Sequence, residues 1–98
     1  MSYKISKSAQ GDLINIWEYT LKNWSVAQAD TYYQILLNTM LDLGQHPSLG
    51  KCYESFRKGY RGFNIKSHII FYKEQKDKPI EIIRILHQRM DLKNRIRE

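Results

Sequence analysis

Cysteine, proline and glycine are scarce in this 98-residue chain, and the scarcity excludes several classes of protein. Cys52 is the single cysteine, so the chain can form no internal disulfide, which favours a reducing compartment such as the cytoplasm. The five glycines form neither a GxGxxG nor a GxxxxGK loop, so we expect no nucleotide cofactor. His46, His68 and His87 do not have the spacing of zinc ligands, so we expect no metal.

Long apolar runs are also missing. The longest, Ile69 to Tyr72, is far shorter than the roughly 18 residues that a membrane span needs, and the N-terminus leads into no stretch typical of a secretory signal. At the same time, 42% of the residues are hydrophobic and 12% are aromatic, which is too many for a disordered chain. We therefore expect one domain over residues 1–98, with one core between two layers of secondary structure and no membrane association.

Positive charge is concentrated in the second half of the chain. The formal net charge is +6, but residues 1–50 carry three lysines against four acidic residues, a net charge of −1. Residues 51–98 carry thirteen basic against six acidic residues, a net charge of +7. Such a one-sided field attracts nucleic acid, an acidic protein surface or a protein that itself holds nucleic acid. The alternative is a solvated basic surface that only aids solubility.

A short strand and an amphipathic helix are predicted at the start of the chain. Residues 1–7 alternate around Tyr3–Ile5, and Ser6 or Ser8 can then cap a helix, because a serine hydroxyl accepts from the free amides of the first turn. Apolar residues next recur every three or four positions, which places them on one helical face. That expected inward face is Ala9, Leu13, Ile16, Trp17, Thr20, Leu21 and Trp24.

A second helix follows with almost no linker. Ser25 and Gln28 have the Ser-x-x-Gln spacing of a capping box. We expect the helix to stop at residues 44–47, where Gly44 can form a left-handed cap and Pro47 cannot continue the helix. The two helices then form an antiparallel hairpin over residues 8–46. The expected inward face of the second helix is Ala29, Tyr33, Leu36, Leu37, Met40, Leu41 and Leu43.

Strand-like patterns replace the helical period after a loop over residues 47–59. They predict three antiparallel strands within residues 60–90, followed by a charged tail over residues 91–98. The predicted fold class is α+β, with the helical hairpin packed on one face of the sheet. The last two strands carry apolar residues on both faces, whereas a two-helix hairpin covers only one. The opposite face is therefore either open to a partner or covered by the loop and the tail.

Five motifs lie in order along these predicted elements. They are Ala9-x-x-Asp12-Leu13-x-x-Ile16-x-x-Tyr19, Pro47-x-x-Gly50, Tyr60-Arg61-x-Phe63, His68-x-Ile70-Phe71-Tyr72 and Arg84-Ile85-Leu86-His87-x-Arg89-Met90-Asp91. Together with the layout of strand, helical hairpin and three antiparallel strands, they resemble the ParE-type toxins of the RelE/ParE superfamily, which belong to bacterial type II toxin–antitoxin systems. The resemblance covers almost the whole chain, and its last block is the most specific.

The resemblance implies a toxin held inactive in a hetero-oligomer by a ParD-like antitoxin, whose C-terminal segment folds along the toxin. It also implies DNA gyrase as the target, with arrest of replication and growth, and no direct sequence-specific binding of nucleic acid. The residues expected to contact the antitoxin are Tyr60, Arg61, Phe63, Ile69, Phe71 and Arg84. The residues expected to contact the target are Arg84, His87, Arg89, Arg95 and Arg97.

Relatives of the RelE type cut mRNA on the ribosome instead, which is the alternative function. Metal-free RNA cleavage requires a base, cations that stabilise the phosphorane and an acid. The candidates are Arg61, Arg84, Arg89, His68 and His87, with Tyr60 or Tyr72 as the acid. Phe63 stands before the strand turn where such enzymes have a cation, and Gln88, not tyrosine, follows His87. The sequence therefore favours a gyrase poison that acts by binding, and an inactive toxin-like binding module is a third possibility.

Several residues also have plainer structural explanations. His87 at a strand end is expected to be a hydrogen-bonded structural histidine, and Cys52 is expected to be incidental. The aromatic residues of the helical half are expected to be core or helix–helix contacts and not a platform for bases. These residues are Trp17, Tyr19, Trp24, Tyr32 and Tyr33.

Overall fold

A helical hairpin covers one face of a five-stranded sheet in a computed structural model, which describes residues 3–96 apart from the side chain of Lys93. The α+β class and the packing of the hairpin are as predicted. The helices are α1 (Lys7–Asn23), α2 (Val26–Gln45) and the short α3 (Leu92–Ile96), with a 3-10 turn at Pro47–Leu49. The strands are β1 (Tyr3–Ile5), β2 (Lys51–Cys52), β3 (Tyr60–Ile65), β4 (His68–Lys73) and β5 (Ile80–His87).

The strand order in the sheet is β1-β5-β4-β3-β2. The three predicted strands form its antiparallel centre, and an additional strand extends each edge. On one edge β1 runs parallel to β5, with Tyr3 opposite Ile80. On the other edge the predicted loop contains β2, in which Cys52 pairs with Arg61. Two residues are too few for strand periodicity to be recognised in the sequence, so β2 was missed.

Serine caps begin both long helices, as predicted. The Ser6 hydroxyl accepts from the amide of Ala9 at 3.0 Å and donates to the carbonyl of Ile83 at 2.8 Å, which joins α1 to the sheet. The Ser25 hydroxyl accepts from the amide of Gln28 at 3.1 Å. Each cap satisfies one of the amides that a first helical turn leaves free.

The α2 helix ends within the predicted stretch of residues 44–47, but the predicted left-handed cap at Gly44 is wrong. The helix continues through Gly44 to Gln45, and the amide of His46 donates to the carbonyl of Asp42 at 2.8 Å. Gly44 does not adopt a positive φ. Pro47 starts the 3-10 turn after His46. Proline has no amide to donate and its ring disfavours a helical conformation at the residue before it, so the proline, and not a left-handed glycine, ends the helix.

Two apolar clusters lie on opposite faces of the sheet, because successive side chains of a strand alternate between faces. Ile70 and Tyr72 of β4 belong to the cluster under the helical hairpin, together with Leu36 and Met40 of α2. The second cluster contains Tyr60, Ile69, Phe71, Leu86 and Ile96, with Tyr53, Phe56, Ile83 and Leu92 packed against it. The loop after β2 and α3 therefore cover the second face, which decides between the two alternatives left by the sequence.

The inward faces of the helices differ from the predicted faces. In α2, Tyr32 packs against the first cluster, whereas Tyr33 is 36% and Leu41 is 47% exposed. The buried row of α2 is Ala29, Leu36, Thr39, Met40 and Leu43. Its spacing includes position 32 and excludes positions 33 and 41.

Neither long helix is apolar all round, and no helix within residues 3–96 is long and apolar enough to cross a membrane.

Candidate functional site

The sheet has two ends that carry different side chains. At one end lie the turn between β3 and β4, at residues 66–67, and the end of β5, close to the connection between α1 and α2. At the opposite end lie the loop at residues 53–59 and the turn at residues 74–79. We call the surface at the first end the aromatic groove and the surface at the second the cationic end.

The aromatic groove lies between the helical hairpin and the turn after β3, with a volume of about 890 Å³. Lys66 is the charged residue of its lining, and no carboxylate lines it within residues 3–96. A concave surface with apolar walls and positive charge suits a ligand that is apolar and anionic. The large side chains that define the groove are Tyr19, Trp24, Tyr32, His68, His87 and Met90.

Two aromatic rings of the groove are open to solvent. Tyr19 is 62% and Trp24 is 61% exposed, and their ring centroids lie 6.2 Å apart. The prediction that they are core or helix–helix contacts is therefore wrong. Trp24 is the residue after the last turn of α1, with a φ of −134°, so the helical period no longer describes where its side chain points. Exposed aromatic residues of this size are typical anchors of protein interfaces.

His68 and His87 face each other across β4 and β5 in the groove. Their ring centroids are 5.3 Å apart, and the Tyr32 hydroxyl lies 2.6 Å from His68 Nδ1. Burial, reinforced by His87, lowers the pKa of His68 to about 4, so this imidazole is neutral at pH 7. The amide of Arg89 donates to His87 Nδ1 at 3.1 Å, which agrees with the hydrogen-bonded role expected of His87.

The cations that RNA cleavage would need do not join these histidines. The lining of the groove includes neither Arg61, Arg84 nor Arg89. The hydroxyl of Tyr72, one of the two proposed acids, lies elsewhere and donates to the carbonyl of Pro47 at 2.6 Å. The other, Tyr60, is only 8% exposed in the second cluster. Of these candidates, the lining of the groove thus contains the two histidines alone, within residues 3–96.

Arg84 forms a largely buried ion pair with Asp12. Its Nε lies 2.9 Å from Asp12 Oδ2 and its Nη2 lies 3.0 Å from Asp12 Oδ1, and the two side chains are 13% and 12% exposed. Asp12 Oδ2 also accepts a hydrogen bond from the amide of Ile85. Ile85 lies on β5 beyond the last residue that pairs with β1. Arg84 Nη1 donates to the carbonyl of Arg95 at 3.0 Å. The pair therefore connects α1, β5 and α3, and its guanidinium is engaged within the chain.

Tyr72 connects the Pro47-x-x-Gly50 motif to the sheet. Its hydroxyl accepts from the amide of Gly50 at 2.8 Å and donates to the carbonyl of Pro47. A side chain at position 50 would collide with the Tyr72 ring, which explains the glycine. Arg61 Nη1 donates to the Gly50 carbonyl at 2.8 Å, while its Nε pairs with Glu74. Burial raises the pKa of Tyr72, so the hydroxyl keeps its proton.

The predicted antitoxin contacts are mostly covered. Tyr60 is 8%, Ile69 is 4% and Phe71 is 0% exposed, all beneath the loop and α3. Phe63 is half-buried against the first cluster, and Arg61 is half-buried with its ion pair. A partner reaches the three buried residues only if the cover moves aside, so their role stays a prediction.

The predicted target contacts lie in different environments. Arg89 and Arg95 are exposed, His87 lines the aromatic groove, and Arg84 belongs to the ion pair. Arg97 lies outside the described residues. The four target contacts that the structure describes therefore lie in different environments and do not form one cluster of exposed cations.

The cationic end was not predicted as a site. Antiparallel pairing places Tyr60 of β3 opposite Lys73 of β4, and the amide of Glu74 donates to the carbonyl of Gly59 at 3.4 Å. The loop before β3 and the turn after β4 therefore lie side by side. The sequence alone placed the excess of positive charge in the second half of the chain, but only the strand register shows that five of its cations lie at one end of the sheet. The exposed cations there are Arg57, Lys58, Lys73, Lys76 and Lys78.

Comparison with known proteins shows which family the chain belongs to. The profile of the family described as "ParE toxin of type II toxin-antitoxin system, parDE" matches residues 3–92. The chain is 39% identical over 89 residues to Toxin ParE1 of Caulobacter vibrioides, covering 91% of each chain. It is 36% identical over 90 residues to Toxin ParE1 of Mycobacterium tuberculosis, covering 92% of each. Among solved structures, a chain of a chromosomal ParDE system from P. aeruginosa has the same fold, with a TM-score of 0.76 at 22% identity, over 89% of this chain and 95% of that one.

Proposed function

This chain belongs to the ParE toxin family of type II toxin–antitoxin systems, and we propose that it is a toxin that inhibits DNA gyrase until a ParD-like antitoxin binds it. The family membership, which agrees with the five sequence motifs, is the observation that carries the proposal. Gyrase acts on the chromosome, so the proposed site of action is the cytoplasm. Inhibition there arrests replication and growth.

We assign the aromatic groove as the site that receives the antitoxin. Tyr19 and Trp24 expose large rings that the apolar side chains of a partner segment can cover. His68 has a lowered pKa and is neutral, so it places no charge beside those apolar side chains. Lys66 and the lack of a lining carboxylate within residues 3–96 favour a segment with acidic side chains beside its apolar ones. Such an amphipathic acidic segment gives a toxin–antitoxin hetero-oligomer.

The action on gyrase is proposed to be binding without catalysis by the toxin. Arg61 and Arg84 are engaged by Glu74 and Asp12, and so they are not available to stabilise a phosphorane. The exposed Arg89 and Arg95, with Arg97, remain the proposed gyrase contacts near the end of the chain. A toxin that holds the gyrase–DNA intermediate stops replication without chemistry of its own.

A supercoiling assay tests this function. Purified chain is incubated with gyrase, ATP and relaxed plasmid, and the expected result is lost supercoiling or trapped, cleaved DNA. Unchanged gyrase activity at several-fold molar excess of the chain would contradict the proposal. Primer extension on translating ribosomes tests the alternative, because a RelE-type enzyme cuts mRNA at the codon in the A site. Absence of growth arrest on induced expression without an antitoxin would instead favour an inactive binding module.

A further inference from the structure

We infer that the cationic end binds the phosphate backbone of duplex DNA without regard to base sequence. The inference goes beyond the proposed function, because it makes DNA itself a contact of the toxin alongside the gyrase protein. It also holds for this chain whether or not gyrase is the target. Three observations carry it: the position of the cations, their lack of carboxylate partners within residues 3–96 and the absence of exposed apolar anchors in the two segments that carry them.

The cations come from two neighbouring segments at one end of the sheet. Arg57 and Lys58 belong to the loop before β3, Lys73 ends β4, and Lys76 and Lys78 lie in the turn before β5. A side chain built at position 59 would lie 3.9 Å from the stem of Lys73, so the lysine runs alongside the loop backbone. All five side chains are exposed. They therefore form one positively charged ridge across two connected segments.

Few carboxylates oppose these cations. The acidic residues of the same two segments are Glu54, Glu74 and Asp77, and Arg61 already engages Glu74. Within residues 3–96, none of the five cations forms an ion pair with a carboxylate of the chain. Five cations against two uncommitted carboxylates leave a net positive field that attracts a polyanion.

The absence of apolar anchors distinguishes DNA from an acidic protein as the ligand. No large hydrophobic side chain is exposed in the loop at residues 53–59 or between Lys73 and Pro79. Tyr60, which lies between the two segments, is buried. Protein partners derive most of their affinity from buried apolar and aromatic anchors, whereas phosphates need only positioned cations. The aromatic groove has such anchors and the cationic end does not.

The residue types indicate binding that is independent of sequence. Four of the five cations are lysines, whose flexible stems and point charges suit phosphates. Reading of bases requires side chains on an element that enters a groove of the DNA, and both segments here are loops at the end of a sheet. The inference therefore agrees with the expectation that the chain has no direct sequence-specific binding.

Fluorescence anisotropy with a labelled duplex of about 20 base pairs tests the inference on the full chain. The test variant is Lys73→Gln/Lys76→Gln/Lys78→Gln. The matched control is Lys4→Gln/Lys7→Gln/Lys22→Gln, which removes three exposed lysines from the other half of the chain. Each variant lowers the net charge of +6 by three, so total charge is equal in the two. Circular dichroism checks that both remain folded.

We expect the test variant to bind the duplex at least about tenfold more weakly than the unaltered chain at low salt, and the control to change by less than about threefold. The slope of log affinity against log salt should fall by about 0.9 for each lysine that contacts a phosphate, thus by up to about 2.7. Two duplexes of unrelated sequence should bind equally.

Three results would overturn the inference. The first is no binding of the duplex by the unaltered chain. The second is an equal loss in both triple variants, since total charge and not the cationic end would then control binding. The third is that a glutamate-rich peptide binds as tightly as the duplex and that its binding depends on the same lysines. The supercoiling assay separates this inference from the proposed function: inhibition of gyrase without duplex binding rejects only the inference, and duplex binding without inhibition rejects only the gyrase target.

Discussion

The aromatic groove and the cationic end are built on the same strands but differ in what they expose. At the groove, Tyr19 and Trp24 present large rings, and Lys66 is the charged residue of the lining. At the cationic end, five cations are exposed, and no large apolar side chain is exposed in the two segments that carry them. Apolar anchors select a protein segment and cations select a polyanion.

The difference teaches how a small toxin can engage two kinds of partner. A segment in the aromatic groove need not cover the cationic end, because the two lie at opposite ends of the strands. The proposed binding of an antitoxin and the inferred contact with DNA thus involve different residues.

The largest expected effect is on the scaffold. Asp12→Ala leaves the Arg84 guanidinium largely buried without its carboxylate and leaves the Ile85 amide without its acceptor. We expect the free energy of unfolding to fall by about 3 kcal/mol, measured by urea denaturation. The control is Asp42→Ala, at an exposed position of α2, which should change the free energy of unfolding by less than about 0.5 kcal/mol. Equal, small effects in the two variants would mean that the ion pair does not hold α1, β5 and α3 together.

The next effect separates the two ends by their partners. Trp24→Ala removes an exposed anchor of the aromatic groove, so binding of the antitoxin should weaken by about 2 kcal/mol, or roughly 30-fold, in isothermal titration calorimetry. Tyr33→Ala is the control, because Tyr33 is partly exposed on α2 and does not line the groove. Unchanged affinity in Trp24→Ala would place the antitoxin elsewhere, for example on Ile69 and Phe71 after displacement of α3.

A smaller effect is expected near the edge strand β2. Tyr72→Phe removes the hydroxyl that joins the amide of Gly50 to the carbonyl of Pro47. We expect a loss of about 1.5 kcal/mol in the free energy of unfolding, because a buried amide loses its acceptor. Tyr33→Phe, which removes a hydroxyl from a partly exposed ring, should be close to neutral. If both variants unfold at the same urea concentration as the unaltered chain, the hydroxyl does not support this turn.

The smallest effect is the dependence of stability on pH at the aromatic groove. The pKa of His68 is lowered to about 4 in the folded chain from the ordinary 6.5, so the unfolded chain takes up the proton first as pH falls. The contribution of His68 to stability is then fully present above pH 6.5 and is lost progressively as pH falls from about 6.5 to about 4. The His68→Gln variant should lose this part of the pH dependence of stability. The control variant His46→Gln, at an exposed histidine, should keep it. A profile unchanged by His68→Gln would reject the assignment.

Local features of the fold were predictable from the sequence because their causes lie within a few residues. Ser6 and Ser25 cap helices through amides three positions away, and the strand that ends in Ile65 alternates over six residues. Predictions were wrong where regular periodicity stops. Trp24 follows the last helical turn and Gly44 precedes a proline that ends the helix, so neither obeys the pattern before it.

The candidate sites were less predictable because they depend on pairings distant in sequence. Asp12 and Arg84 were both noted in motifs, but nothing within either motif indicates that they bind each other across 72 residues. Gly59 and Lys73 come close together only through the register of β3 and β4. The family resemblance identified the kind of protein, whereas three-dimensional packing decided which of its charged residues remain free.

The most direct test of this account combines gyrase, toxin and antitoxin in one supercoiling assay. The unaltered chain should inhibit supercoiling, and an equimolar amount of antitoxin should restore it. Trp24→Ala should still inhibit, because the anchor is not a proposed gyrase contact, but restoration should require about 30-fold more free antitoxin. Gyrase that continues to supercoil plasmid at several-fold molar excess of the unaltered chain would contradict the account.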